Sequence, residues 1–140
     1  MENQVPSYWL IKSEPFKYSW DDLCRDGETI WDGVRNHRAA NNLKAMEIGD
    51  RLFYYHSNKG LEIVGIAEVS EAGLIDPTDA EGKWPTVKVK PVSKLDNSVT
   101  LKAIKANPEL DGIELVRLSR LSVGVITREE WDKIIAMSQD

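Results

Sequence analysis

The apolar and polar positions divide the chain into short segments with the periods of strands and of helices in alternation. Tyr8-Trp9-Leu10-Ile11, a run of aromatic and branched residues closed by Ser13-Glu14-Pro15, predicts a buried strand. Ser19 predicts a helix start, because its hydroxyl can accept from the free amides of Trp20-Asp21-Asp22-Leu23 and the two carboxylates favour the positive helix end. Asn36 to Met46 lacks Gly and Pro, is rich in Ala, Leu, Lys and Met, and stops before Gly49-Asp50, as a helix does. The β-rich runs Arg51 to His56 and Leu61 to Val69 flank Ser57-Asn58-Lys59-Gly60, whose Asn and Gly suit a hairpin turn, so the two are expected to pair antiparallel. Trp84 to Val92 alternates apolar with Lys or polar residues and predicts a strand with one wet face. Thr100 to Ala106 predicts a short helix ended by Asn107-Pro108. Thr127-Arg128-Glu129-Glu130 is a capping box for a closing helix whose Trp131, Ile134 and Ile135 share one face. The expected fold class is α+β: a mixed, mainly antiparallel β-barrel or curled sheet with peripheral short helices.

Length adds that 140 residues form a single domain over 1–140 around one core, large enough to stand without a disulfide or structural metal. Cys24 is alone, which excludes an intrachain disulfide, and with only His37 and His56 beside it no zinc-binding spacing can be written. No apolar run has membrane-spanning length and no basic-then-apolar leader begins the chain, so a soluble, cytoplasmic protein with no membrane partner is expected. The 18 Lys and Arg against 23 Asp and Glu give a net charge of −5, which argues against indiscriminate polyanion binding. That mean conceals blocks. Residues 62–81 carry acids and no Lys or Arg, and residues 82–95 carry Lys83, Lys88, Lys90 and Lys94 and no acid. Two further acid-free windows hold Arg35, Arg38 and Lys44, and Arg117, Arg120 and Arg128. If folding joins the arginine windows, an acidic body acquires a local positive patch that steers an anionic ligand.

Phosphate-loop, dinucleotide-binding and serine-hydrolase signatures are absent. Asp76 to Gly82 has acid spacing loosely like a calcium loop, but Pro77 and the missing twelfth-position Glu break the pattern, and it reads as a solvated loop. Cys24 in a short helix reads as a buried thiol rather than a nucleophile. Large aromatics are in excess, with five tryptophans. Trp131 reads as core, whereas Trp31, beside Asp32, Gly33, Arg35 and Asn36, admits two readings: core filler, or a flat face for a ligand ring.

In order, Tyr8-Trp9-Leu10-Ile11-Lys12-Ser13-Glu14-Pro15, Tyr18-Ser19-Trp20-Asp21-Asp22-Leu23, Trp31-Asp32-Gly33-Val34-Arg35-Asn36, Phe53-Tyr54-Tyr55-His56-Ser57-Asn58 and Leu115-Val116-Arg117-Leu118-Ser119-Arg120-Leu121-Ser122-Val123 resemble the EVE domain family, with its eukaryotic thymocyte nuclear protein branch. The likeness runs over residues 8–137. It implies a PUA-like fold related to the YTH and ASCH domains, whose members hold bases in a pocket, and EVE domains resemble readers of modified cytosine in DNA. On this chain the resemblance implies Lys12 and Ser13 as one pocket wall and Trp31 as an aromatic wall. It implies Asn36 and His56-Ser57-Asn58 as polar edge contacts, with Arg117 and Arg120 near the mouth. A base drawn out of a stack needs an aromatic surface, groups for its edge and cations for its phosphates, and Ser13, Trp31 and Arg35 supply those types. His56 has a second reading, as a hairpin-end histidine bonded to turn backbone. The chain departs from the family pattern after Asn36, where His37-Arg38-Ala39-Ala40 replaces Tyr-Gln-Ala-Arg. Two helical positions are about 200° apart, so Arg38 does not occupy the site vacated at Ala40.

The expected function is a noncatalytic, monomeric nucleic-acid-binding module that takes a modified nucleobase, foremost modified cytosine in DNA, into an aromatic and polar pocket. No cofactor, metal ligand or catalytic residue is assigned. The alternatives are a reader of modified RNA, or an enzyme or binder of a nucleotide-like small molecule using His56 or Cys24 with Glu14 or Asp32. A protein-interaction module has no specific signal.

Overall fold

In the computed structural model, which describes residues 6–140, the first apolar run forms β1 (Tyr8–Ser13). Ser19 caps α1 (Trp20–Asp26) through a reciprocal box with Asp22, and Gly27, at φ 76°, ends it. After the two-residue β2 (Thr29–Ile30), Asn36 caps α2 (His37–Ala45). The expected hairpin joins β3 (Arg51–His56) to β4 (Glu62–Ile75). β5 (Pro85–Thr100) runs further than the alternation predicts and hands over to α3 (Leu101–Lys105), with Thr100 as its N-cap. A 3₁₀ turn (Pro108–Leu110), α4 (Glu114–Arg117) and β6 (Val123–Ile126) follow, and the Thr127 capping box opens α5 (Arg128–Ser138).

The strands form one sheet in the order β2-β5-β4-β3-β1-β6, antiparallel except where β1 lies parallel to β3. β4 and β5 are long, and repeated register shifts between them let the pair curl. The sheet does not close into a barrel, which corrects that half of the expectation. β2 offers too little ladder, and the outer edge of β6 is already satisfied: Asn42 Nδ2 donates to the Val123 carbonyl (2.7 Å) and the Val125 amide donates to Glu114 Oε1 (2.8 Å). Because β1 and β3 are buried on both faces, their apolar residues divide between two clusters instead of one core. Trp9, Ile11 and Tyr54 pack with Trp20, Trp31 and Leu43 on one face, and Leu10, Phe53 and Tyr55 pack with Ile113, Trp131 and Ile134 on the other. Trp131 stacks on Phe53 at 3.9 Å, in keeping with its core reading. Cys24 is not buried: α1 turns only Trp20 and Leu23 to the sheet and leaves the thiol exposed.

Candidate functional site

The parallel pairing of β1 with β3 sets Ser13 opposite His56, and the Ser57 amide donates to the Ser13 carbonyl (2.9 Å). Ser57 is thereby placed at the end of β1, beside a cleft of about 700 Å³. Lys12 and Ser13 form one side of it. The Lys12 amide donates to the Ser122 carbonyl (3.0 Å) and its Nζ to the Ser119 carbonyl (2.9 Å), which pins residues 119–122 and holds Arg120 at the cleft wall. The floor is Trp31, whose amide bonds Val87 and whose carbonyl accepts from Thr86 Oγ1. Its ring is edge-on to Tyr18 (6.4 Å) and Tyr54 (5.7 Å) and only 9% exposed, so it both fills the core and closes the cleft. The Tyr54 hydroxyl donates to the Tyr18 carbonyl (2.7 Å), and burial pushes its pKa well above the phenolic range.

The cleft is electrically mixed. Burial lowers the Lys12 pKa, and Lys17 pairs with Glu14 (3.4 Å). Among the described residues the ion pairs include neither Asp32 nor Arg120, which leaves one carboxylate and one guanidinium of the lining without a countercharge. Of the residues proposed from the sequence, Lys12, Ser13, Trp31, Ser57 and Arg120 line this one cleft. Glu14 and Asp32, the carboxylates of the enzyme alternative, also line it, and Lys17, Tyr18, Thr29, Ser119 and Ser122 join them without a sequence-based assignment; Tyr18, Ser119 and Ser122 lie inside the same motifs, as neighbours of the chosen positions.

The other five expected residues do not line this cleft. Arg35 is drawn to Asp76 (2.9 Å) and Thr78 (3.1 Å) and lies over the Trp84 ring at 5.5 Å. Asn36 spends its carbonyl oxygen on the Ala39 amide (3.0 Å). His56 Nε2 accepts from the Trp20 amide (3.1 Å) and faces a separate cavity of about 520 Å³ with Asp21, Glu62 and Lys94. Burial lowers its pKa, so the neutral ring persists at neutral pH. Asn58, at φ 67°, makes the hairpin turn. Arg117 pairs with Glu114 (3.7 Å), which also holds Arg38 (3.3 Å). The Asp76 to Gly82 segment is a largely exposed loop, as expected, but two of its carboxylates organise it. Asp76 is 1% exposed and accepts from the Gly33 and Thr78 amides as well as from Arg35, and Asp79 accepts from the Glu81, Lys83 and Trp84 amides. Burial alone would raise the Asp76 pKa, but these donors outweigh it and hold it down at about 2. Among the described residues no group of three His, Cys, Asp or Glu is arranged to hold a metal ion, and no helix is long and apolar enough to cross a membrane.

A family model for the EVE domain matches residues 7–137. The chain belongs to the EVE domain family. Thymocyte nuclear protein 1 of Rattus norvegicus is 32% identical to it over 96% of this chain and 75% of the relative. A protein of Rhodopseudomonas palustris whose structure was solved by NMR is 49% identical with a TM-score of 0.91, covering 95% of this chain and 93% of the other. A crystal structure of human THYN1 in complex with DNA containing 5-methylcytosine is 30% identical with a TM-score of 0.87, covering 96% and 98%. An ASCH protein of Zymomonas mobilis, 10% identical with a TM-score of 0.56 over 94% of this chain and 95% of its own, is alike in fold.

Proposed function

We propose that this EVE domain is a noncatalytic reader that takes a modified cytosine of DNA into the Ser13/Trp31 cleft. The observation that carries the reading is the human THYN1 complex with 5-methylcytosine DNA, 30% identical across 96% of this chain. The cleft supports it on physical grounds. Its volume of about 700 Å³ falls within the range of about 300–1,000 Å³ usual for small-ligand sites. Trp31 supplies an apolar floor, and contact of a base with an aromatic surface contributes about 1–3 kcal/mol. The uncompensated Asp32 carboxylate suits the exocyclic amine of cytosine, a donor that thymine lacks. The candidate base and nucleophile of the enzyme reading stand elsewhere: His56 has its acceptor nitrogen occupied, and the exposed Cys24 thiol has its pKa raised by partial burial and by Asp21.

The test is fluorescence anisotropy with a duplex carrying one 5-methylcytosine and with its unmodified counterpart. Tighter binding of the modified duplex is expected. Ser57→Trp, which fills the cleft without removing core packing, is expected to abolish the preference, and Asp32→Asn to reduce it. Equal affinity of the wild type for both duplexes overturns the reading.

A further inference from the structure

The cleft does not end at Arg120. Ser119 and Arg120 also line a second cavity of about 350 Å³ whose other walls are Asn36, Arg38, Leu118 and Leu121. The two spaces therefore share Ser119 and Arg120 as a wall, and the second lies beside the first turn of α2. Its lining is cationic, with no carboxylate in it. Arg38, 59% exposed, shares the single Glu114 carboxylate with Arg117, so two guanidinium groups face one negative charge, and Arg120 adds a third. Asn36 accepts with its carbonyl oxygen and retains its side-chain amide as a donor toward the groove.

A base that enters the cleft stays bonded to a backbone that must leave it, and whatever lines the exit meets sugars and phosphates. We propose that the Asn36, Arg38 and Leu118 to Leu121 groove is that exit: Arg120 meets a phosphate where groove and cleft join, and Arg38 meets one farther along the same strand. The guanidinium fork matches phosphate oxygens, and Leu118 and Leu121 offer an apolar wall to the sugars. The departure from the family pattern acquires a role on this reading. Ala40 is buried and brings no charge, whereas Arg38 faces the groove. The inference rests on the cleft being the base site.

The two ideas separate in one experiment. Binding of the same modified and unmodified duplexes is measured from about 50 to about 200 mM salt for the wild type and for Arg38→Gln, Arg120→Gln and Arg128→Gln, with thermal unfolding to confirm the fold of each. Arg38→Gln and Arg120→Gln are each expected to lower the slope of log affinity against log salt by about one unit and to weaken both duplexes by the same factor. Arg128, on α5 beside Asp132 (3.8 Å), lies outside the groove, and its variant is expected to keep the wild-type slope. An unchanged slope in both groove variants, or an equal drop in Arg128→Gln, overturns the proposed path. A wild type that binds both duplexes equally overturns the base reading instead, while the slopes still decide the groove.

Discussion

Asp76 shows how a single carboxylate can shape a site it never touches. One of its oxygens takes the Gly33 amide (2.7 Å) and the Arg35 guanidinium, which fixes the bend just after Trp31 and Asp32. Its pKa lies near 2 in the fold, below the ordinary 3.8, so the unfolded chain binds the proton more readily. The stabilisation is complete above about pH 4 and is lost as the pH falls toward about 2, an amount of about 2 kcal/mol. Urea unfolding at stepped pH is expected to show this loss in the wild type and its absence in Asp76→Asn. None of this was legible in the acid-rich stretch itself, because the amide that needs the carboxylate is 43 residues away. The sequence hides the fate of Arg35 for the same reason: its partner is distant in the chain, and the pairing takes it out of the cleft.

At the scale of elements, the local signals were sufficient where the physics is local. Ser19 and Thr127 cap the helices they were expected to cap, the helix expected from Thr100 starts one residue later with Thr100 as its N-cap, and the Asn58 turn joins the expected strands. The parallel contact of β1 with β3 left no such mark, since it joins runs 43 positions apart, Tyr8 to Arg51, and yet it decides which side chains edge the cleft. Close approach between elements was equally hidden. A methyl group at Gly65 of β4 would stand 2.7 Å from three ring carbons of the buried Trp20 of α1, a rigid neighbour with nowhere to move. Gly65→Ala is therefore expected to cost about 1–3 kcal/mol in denaturant unfolding, in line with other overpacked cores. It should also perturb Trp20 fluorescence by displacing α1 from β4.

For the whole molecule, the net charge of −5 hides a division of labour. The lysine block and the acid block lie against each other on the β4–β5 pair, where Lys90 meets Glu68 (3.6 Å) and Lys88 meets Glu71 (3.5 Å). Those lysines are largely spent within the protein. The arginine windows are the ones that fold together, with Arg38 and Arg117 at Glu114 and Arg38 and Arg120 along one groove. A small cationic track on an acidic body favours selective over indiscriminate contact with a polyanion.

Glu114 joins that track to the rim of the sheet. One of its oxygens tempers Arg38 and Arg117 while the other occupies the outward amide of Val125, and an unoccupied amide on a rim strand invites another chain to add itself there. One carboxylate thus restrains two kinds of unwanted partner, stray polyanions and further copies of the protein. Glu114→Ala is expected to raise affinity for unmodified DNA and, in sedimentation, to increase self-association over that of the wild type at equal concentration.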